Sequence, residues 1–186
     1  MRSLKVGVVS ILEGDIYKEA KGLWRLFEKE YNSRAIQNFA HPHLSFQGGI
    51  CEDIKIIDAN LKKLSFQIKP FPIKIEGINI FKEPDRVIFM EVIRTKTLQR
   101  IHKKIDALLL KYCSQTFGFY SPQNWHPHVT LAHGDLTQNN FQKAKKDLEN
   151  YHPRYKLKMH NICLVKWYDK NKIRIYKKYV LRTPNR

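Results

Sequence analysis

Apolar and polar positions along the chain change period several times, and each change marks an element. Residues 4–12 (LKVGVVSIL) form a β-branched run that reads as a buried strand. Residues 16–31 place Ile16, Ala20, Leu23, Trp24 and Phe27 at helical spacing, and a second amphipathic helix is expected over 52–66 from Ile54, Ile57, Leu61 and Leu64. The stretch FPIKIEGINIF (71–81) alternates Ile73, Ile75 and Ile78 with polar residues and predicts a strand bulged at Gly77. RVIFMEVI (86–93), after Glu83-Pro84-Asp85, is read as its neighbour. Leu98, Ile101, Ile105, Leu108, Leu109 and Tyr112 mark a helix over 96–115, and Thr137 is placed to cap another over 138–150. Residues 155–168 and 172–181 read as two final strands.

One pattern occurs twice. HPHLSF (41–46) and HPHVTL (126–131) are both His-Pro-His-apolar-hydroxyl-apolar, offset by 128 − 43 = 85 residues. Shifting the first part of the chain by 85 lays the helix at 52–66 on that at 138–150, and the strands at 71–81 and 86–93 near 156–166 and 171–178. Two copies are too few for a solenoid, so the expected architecture is one bilobed α+β domain spanning residues 1–186, its pseudo-twofold lobes meeting at a central cleft.

On a strand, side chains alternate between faces, so His43 and Ser45 share one face while Leu44 and Phe46 take the other. His128 and Thr130 stand in the same relation to Val129 and Leu131. Pro42 and Pro127 fix their own φ and favour a strand start. If both polar faces line one cleft, two imidazoles and two hydroxyls converge, a set suited to a phosphodiester. One neutral imidazole takes a proton from the attacking oxygen and a protonated one supplies the leaving oxygen. The hydroxyls donate to non-bridging phosphate oxygens as charge builds there.

These paired motifs, His43-Leu44-Ser45-Phe46 and His128-Val129-Thr130-Leu131, resemble those of the 2H phosphoesterase superfamily, in particular its 2′-5′ RNA ligase-like and cyclic phosphodiesterase members. The resemblance covers most of the chain, with the duplicated layout and the GINIF strand (77–81) also fitting. It implies a LigT-like bilobed α+β fold and metal-independent opening of 2′,3′-cyclic phosphates on RNA ends or nucleotides, with no cofactor. It also implies 2′-5′ ligation as a reverse reaction. Two positions depart from the family pattern. His133 stands where many relatives carry Arg, replacing a permanent charge with a titratable one, and the first motif continues as Gln47-Gly48-Gly49 instead of an apolar tail.

Charge narrows the partner. The chain has 34 Lys and Arg against 17 Asp and Glu, a net +17, and residues 141–186 alone contribute 14 − 3 = +11. A polyanion is the expected partner, and charge alone leaves RNA, DNA and acidic lipid open; the resemblance implies RNA ends or a small nucleotide and no membrane, and a monomer is expected. His133, Lys172 and Arg174 are candidate phosphate contacts; Trp125, Tyr168 and Tyr176 could stack on bases but are first expected to pack in the core. Three widely spaced cysteines, Cys51, Cys113 and Cys163, fit neither a disulfide framework nor a CxxC site and point to the cytoplasm. Two rival classes stay open: a zinc held by His41, His43, His126 and His128, which would leave the hydroxyls unexplained, and a cleft that binds a nucleotide or RNA without turning it over.

Overall fold

The β-branched runs pair into a single antiparallel sheet in a computed structural model, which describes residues 3–82, 85–169 and 172–182. The strands are β1 (Leu4–Ile11), β2 (His43–Cys51), β3 (Phe71–Phe81), β4 (Val87–Val92), β5 (Gln115–Thr116), β6 (His128–His133), β7 (Arg154–Met159), β8 (Asn161–Asp169) and β9 (Lys172–Val180). The helices are α1 (Asp15–Tyr31), α2 (Ile54–Ser65), α3 (Lys96–Tyr112) and α4 (Gln138–Asp147), with short 3-10 turns at Ala35–Asn38 and Gly118–Tyr120. Glu83 and Pro84, which the sequence sets between the third and fourth strands, lie outside the described residues. Thr137 caps α4 as expected, its hydroxyl accepting from Asn140 N at 3.2 Å. Thr95 and Asp53 do the same for α3 and α2.

Strand order is β7-β3-β4-β6-β2-β1-β8-β9, with β5 added to β2. The two HPH strands are therefore central neighbours, each carrying three more strands outward. The 85-residue shift matches β4 with β9, whereas counting outward from the centre of the sheet matches β4 with β1 and β9 with β7. Each half is completed by strands from the other part of the chain: β3 and β4 join β6 and β7, and β8 and β9 join β1 and β2. Gly77, at φ 78°, sits in the register shift between Ile75 and Ile78, which is the expected bulge.

The run at 155–168 is not one strand. Tyr155, Leu157 and Met159 face the main core, but beyond His160 the phase inverts, so that Ile162 and Leu164 face it. Asn161 enforces the break. Its side chain accepts from Ile11 N at 2.8 Å and donates to Ile11 O at 2.9 Å, and its carbonyl accepts from Ser10 Oγ at 2.5 Å. Those bonds tie the start of β8 to the end of β1, while β7 has already left for β3 at the opposite edge. One residue spans only a few ångströms, so the sheet must curl until β7 and β8 meet at that end. No Gly or Pro marks the point, and β-propensity is continuous across it.

The main core lies between the helices and one face of the sheet and includes Trp24 and Phe27 of α1 together with Val6, Leu44 and Leu131. A smaller apolar group, Val9, Ile11, Phe39, Cys163 and Val165, covers part of the other face. Among the described residues no helix is long and apolar enough to cross a membrane.

Asn161 is almost fully buried, so Asn161→Ala strands the Ile11 amide and carbonyl and is expected to cost about 2–3 kcal/mol. Urea titration should show a lower midpoint at unchanged slope.

Candidate active site

Both HPH segments enter the sheet in the same way. The carbonyl of Pro42 accepts from Leu12 N at 3.0 Å and that of Pro127 from Val92 N at 3.2 Å, so each proline is held by the neighbouring strand just before the histidine begins its own. β2 and β6 then pair at Leu44–Val129. Antiparallel register through that pair conserves the sum 44 + 129 = 173, which sets Ser45 across from His128 and Thr130 across from His43. The two histidines are diagonal neighbours on one face, a relation of about 7–8 Å between strands.

Each imidazole is fixed by its own segment. His43 Nδ1 lies 2.7 Å from the His41 carbonyl and His128 Nδ1 lies 2.6 Å from the His126 carbonyl. A carbonyl can only accept, so Nδ1 carries the hydrogen in both rings and Nε2 is left with a free lone pair. The hydroxyl-bearing residues are braced from beneath in the same paired fashion: the indole of Trp24 donates to the Thr130 carbonyl at 3.0 Å and that of Trp125 to the Ser45 carbonyl at 2.9 Å.

Aromatic rings enclose the imidazoles. Phe39 lies edge-on to His43 at 5.0 Å, and Phe81 and Phe89 lie 5.3 and 4.9 Å from His128. Burial in these surroundings pushes both histidines down to about 4, against the opposing effect of the Nδ1 bonds. Positive charge on His43 lowers His128 further, and Glu91 works in the other direction.

His43, Ser45, His128, Thr130 and His133 all line one cleft of about 490 Å³. The pair of motifs is thus brought together, with His133 at one end beside Asp85. Burial lowers His133, and Asp135 and Asp85 oppose the shift. Lys172 and Arg174 do not line this cleft. On β9 it is Ile173 between them that does, and strand alternation turns both cations to the other, exposed face. Trp125 is a core residue, stacked on His102 at 4.1 Å, and neither Tyr168 nor Tyr176 lines the cleft.

Other residues take part that the sequence did not single out. Tyr120 lines the cleft with Ser45; burial raises the Tyr120 pKa, and the Ser45 side chain works in the other direction. The Tyr120 backbone is pinned from below, since its carbonyl lies 2.9 Å from His102 Nε2 and accepts from Gln47 Nε2 at 3.1 Å. Gln47 also donates to Asp106 at 2.6 Å, so the polar residue noted as a departure in the first motif joins a buried network under the site. An Asn or Gln after an HxS motif could have hinted at such a network, but nothing local pointed to Tyr120.

The four imidazoles considered as zinc ligands are not gathered as a ligand set. Among the described residues no three His, Cys, Asp or Glu side chains form a group that could hold a metal ion. His126 Nε2 lies 2.7 Å from Glu91 Oε1, at an angle that makes no hydrogen bond. His41 Nδ1 faces the Tyr17 hydroxyl at 3.4 Å.

Comparison with known proteins bears on the family and the fold. The model of the 2′-5′ RNA ligase superfamily matches residues 17–171. A curated relative, the RNA 2′,3′-cyclic phosphodiesterase of Bacillus subtilis (strain 168), is 31% identical over 104 residues, 52% of this chain and 55% of the relative. The chain thus spans about half the length of that relative. Among solved structures, Escherichia coli LigT complexed with 3′-AMP superposes with a TM-score of 0.65 at 14% identity, covering 98% of this chain and 100% of that one. A Thermus thermophilus protein gives 0.63 at 13% identity, covering 97% and 100%. At these identities the structures speak to fold, and the fold is that of the LigT-like 2H phosphoesterases.

Both histidines should titrate near pH 4 in the free protein, well below an ordinary imidazole at 6.5. Between these values the unfolded chain binds more protons than the folded one, so stability is full above about 6.5 and falls as pH drops through about 4. Histidine NMR titration checks the midpoints, and added inorganic phosphate should move them upward.

Proposed function

This chain belongs to the 2′-5′ RNA ligase superfamily, and from that premise and the chemistry of the cleft we propose that it opens 2′,3′-cyclic phosphates on RNA ends or nucleotides, with His43 and His128 as its acid–base pair. The observation that carries the proposal is the meeting of the two hexads at Leu44–Val129, which sets two lone-pair-bearing Nε2 atoms and two hydroxyls around one cleft. One imidazole takes the proton of a water as its oxygen attacks phosphorus. The other, protonated, gives its proton to the 2′ or 3′ oxygen as the P–O bond breaks. The products are a phosphomonoester and a free hydroxyl, with one water consumed. Ser45 and Thr130 donate to the non-bridging oxygens, and Tyr120 lines the cleft beside Ser45. His133 offers a further phosphate contact.

The depressed pKa values give this scheme a pH dependence. At neutral pH both imidazoles of the free protein are neutral, yet the reaction needs one proton on the pair. The substrate phosphate, an anion, raises both and recruits that proton on binding. The Nδ1 bonds keep the neutral member in the tautomer whose Nε2 can act as base.

Incubation with 2′,3′-cyclic AMP and a cyclic-phosphate-ended oligonucleotide, with EDTA throughout, tests the proposal, and the phosphate position in the product names the bond broken. His43→Ala and His128→Ala should each lower turnover by about 10²–10⁴-fold, while Ser45→Ala and Thr130→Ala should cost about 10-fold or more. Binding without turnover in the wild type would sink the enzyme reading. Activity abolished by EDTA would sink the metal-free mechanism. In the wild type kcat/KM should rise as pH falls from 8 towards 5, since the singly protonated pair grows in that direction; a rate that instead rises with pH would contradict it.

A further inference from the structure

The cleft extends beyond the two hexads, and its ends are unlike. At one end His133 stands with Asp85, and Asp135 acts on it electrostatically. At the other end two glycines face each other across the strands, Gly7 of β1 paired with Gly48 of β2. A Cβ at Gly48 would fall 2.5 Å from the Phe117 ring, and one at Gly7 would fall 3.2 Å from Trp167. The bare backbone there lets both rings lie down against the sheet. The ammonium of Lys5, an exposed residue, rests 5.2 Å from the centroid of Phe117 and 5.0 Å from that of Trp167. Among the described residues lining the cleft, Lys5 is the one lysine or arginine.

Register gives the spacing. Val9 pairs with Ser45, and Lys5 lies four residues further along β1, about 13 Å at the rise of a strand. That is too far for Lys5 to reach the phosphate between the histidines, and a good separation for the next phosphate of a chain. The end with Asp85 repels such a phosphate and the Lys5 end attracts it, so a strand leaving the reaction centre is drawn towards Lys5.

We infer that Lys5, Phe117 and Trp167, on the floor of Gly7 and Gly48, form a subsite for the nucleotide that precedes the one bearing the cyclic phosphate: its base stacks on the rings and the phosphate linking the two meets Lys5. The preferred substrate is then an oligonucleotide end and not a mononucleotide. This rests on reading the cleft as a phosphoesterase site. A base entering between the rings displaces the ammonium from their faces, and the flexible lysine turns to the backbone phosphate, exchanging a cation–π contact for a charge-assisted hydrogen bond.

The test compares kcat/KM for 2′,3′-cyclic AMP with that for the diadenylate ending in a 2′,3′-cyclic phosphate. Stacking of one base predicts that wild type prefers the dinucleotide by about tenfold or more. Lys5→Gln and Trp167→Ala should each lower the ratio of the two values towards one, the first by loss of the phosphate contact and the second by loss of stacking. Lys5 is exposed, so its variant keeps the test sound if Trp167→Ala folds poorly. In parallel, calorimetry compares binding of 3′-AMP and of diadenylate 3′-phosphate, which need no turnover. Tighter binding of the dinucleotide that depends on Lys5, without turnover of either cyclic substrate, would uphold the subsite while the proposed activity fails. Turnover with a wild-type ratio near one, or a ratio unmoved by both substitutions, would overturn the subsite and leave the activity standing.

Discussion

Between Leu44 and Val129 the two central strands meet at one paired position, and the placement of the proposed reacting groups follows from it. Side-chain alternation sends these two residues into the main core, where both are fully buried. The same alternation brings their flanking neighbours, His43, Ser45, His128 and Thr130, to the cleft side. A slip of one residue in either strand would exchange the two sets, burying imidazoles among apolar side chains and exposing Leu and Val. The register is therefore held by the hydrophobic cost of the alternative, and the site inherits its precision from the core. The proline carbonyls bound by Leu12 and Val92 hold the approach on both sides.

The enclosure that places these histidines also works against their charge. Phe39, Phe81 and Phe89 pack around the rings, and burial lowers both pKa values to about 4. Two protonated imidazoles on one sheet face would repel as well as being desolvated, so the resting pair is neutral and preorganised by its carbonyl bonds. In the proposed mechanism a phosphate anion would bring a negative charge close to both Nε2 atoms. Stability and proposed function meet here: in the proposed mechanism the groups that resist protonation in the free protein would accept it on binding a phosphate, so the pair would be charged only when there is something to protonate.

Much of this was legible in the chain. The hexads themselves, the alternation that puts His and hydroxyl on one face, the bulge at Gly77 and the Thr137 cap all rest on local rules, and local rules are what one sequence displays. Features that depend on distant partners were not legible. The break at His160 comes from bonds between Asn161 and β1, some 150 residues away, without a turn residue to mark it. The interleaving of β3 and β4 with β6 and β7 cannot be seen in a linear shift, which matches segments without saying which pair. Charge singles out Lys172 and Arg174, yet the phase of β9 presents Ile173 to the cleft. Trp24 and Trp125 could be read as core residues, but not as donors to the backbone of Thr130 and Ser45.

The cleft combines a nearly symmetric centre with asymmetric ends, and the two have different physical origins. At the centre three contacts recur in both hexads: the proline carbonyl held by the adjacent strand, Nδ1 held by the carbonyl two residues back, and the hydroxyl residue's carbonyl held by an indole. The first two follow from the backbone of the motif, which repeats wherever it joins the sheet, whereas the indoles come from α1 and from the residue before the second hexad. The ends are built instead by side chains from strands and turns that do not match: Lys5, Phe117 and Trp167 on one side, Asp85 and His133 on the other. Such a division suits a phosphodiester. In the proposed reaction the bonds made and broken at phosphorus are related by microscopic reversibility, so acid and base can be near equivalents, whereas a nucleic acid attached to that phosphorus would have a direction that only an unsymmetric rim can read.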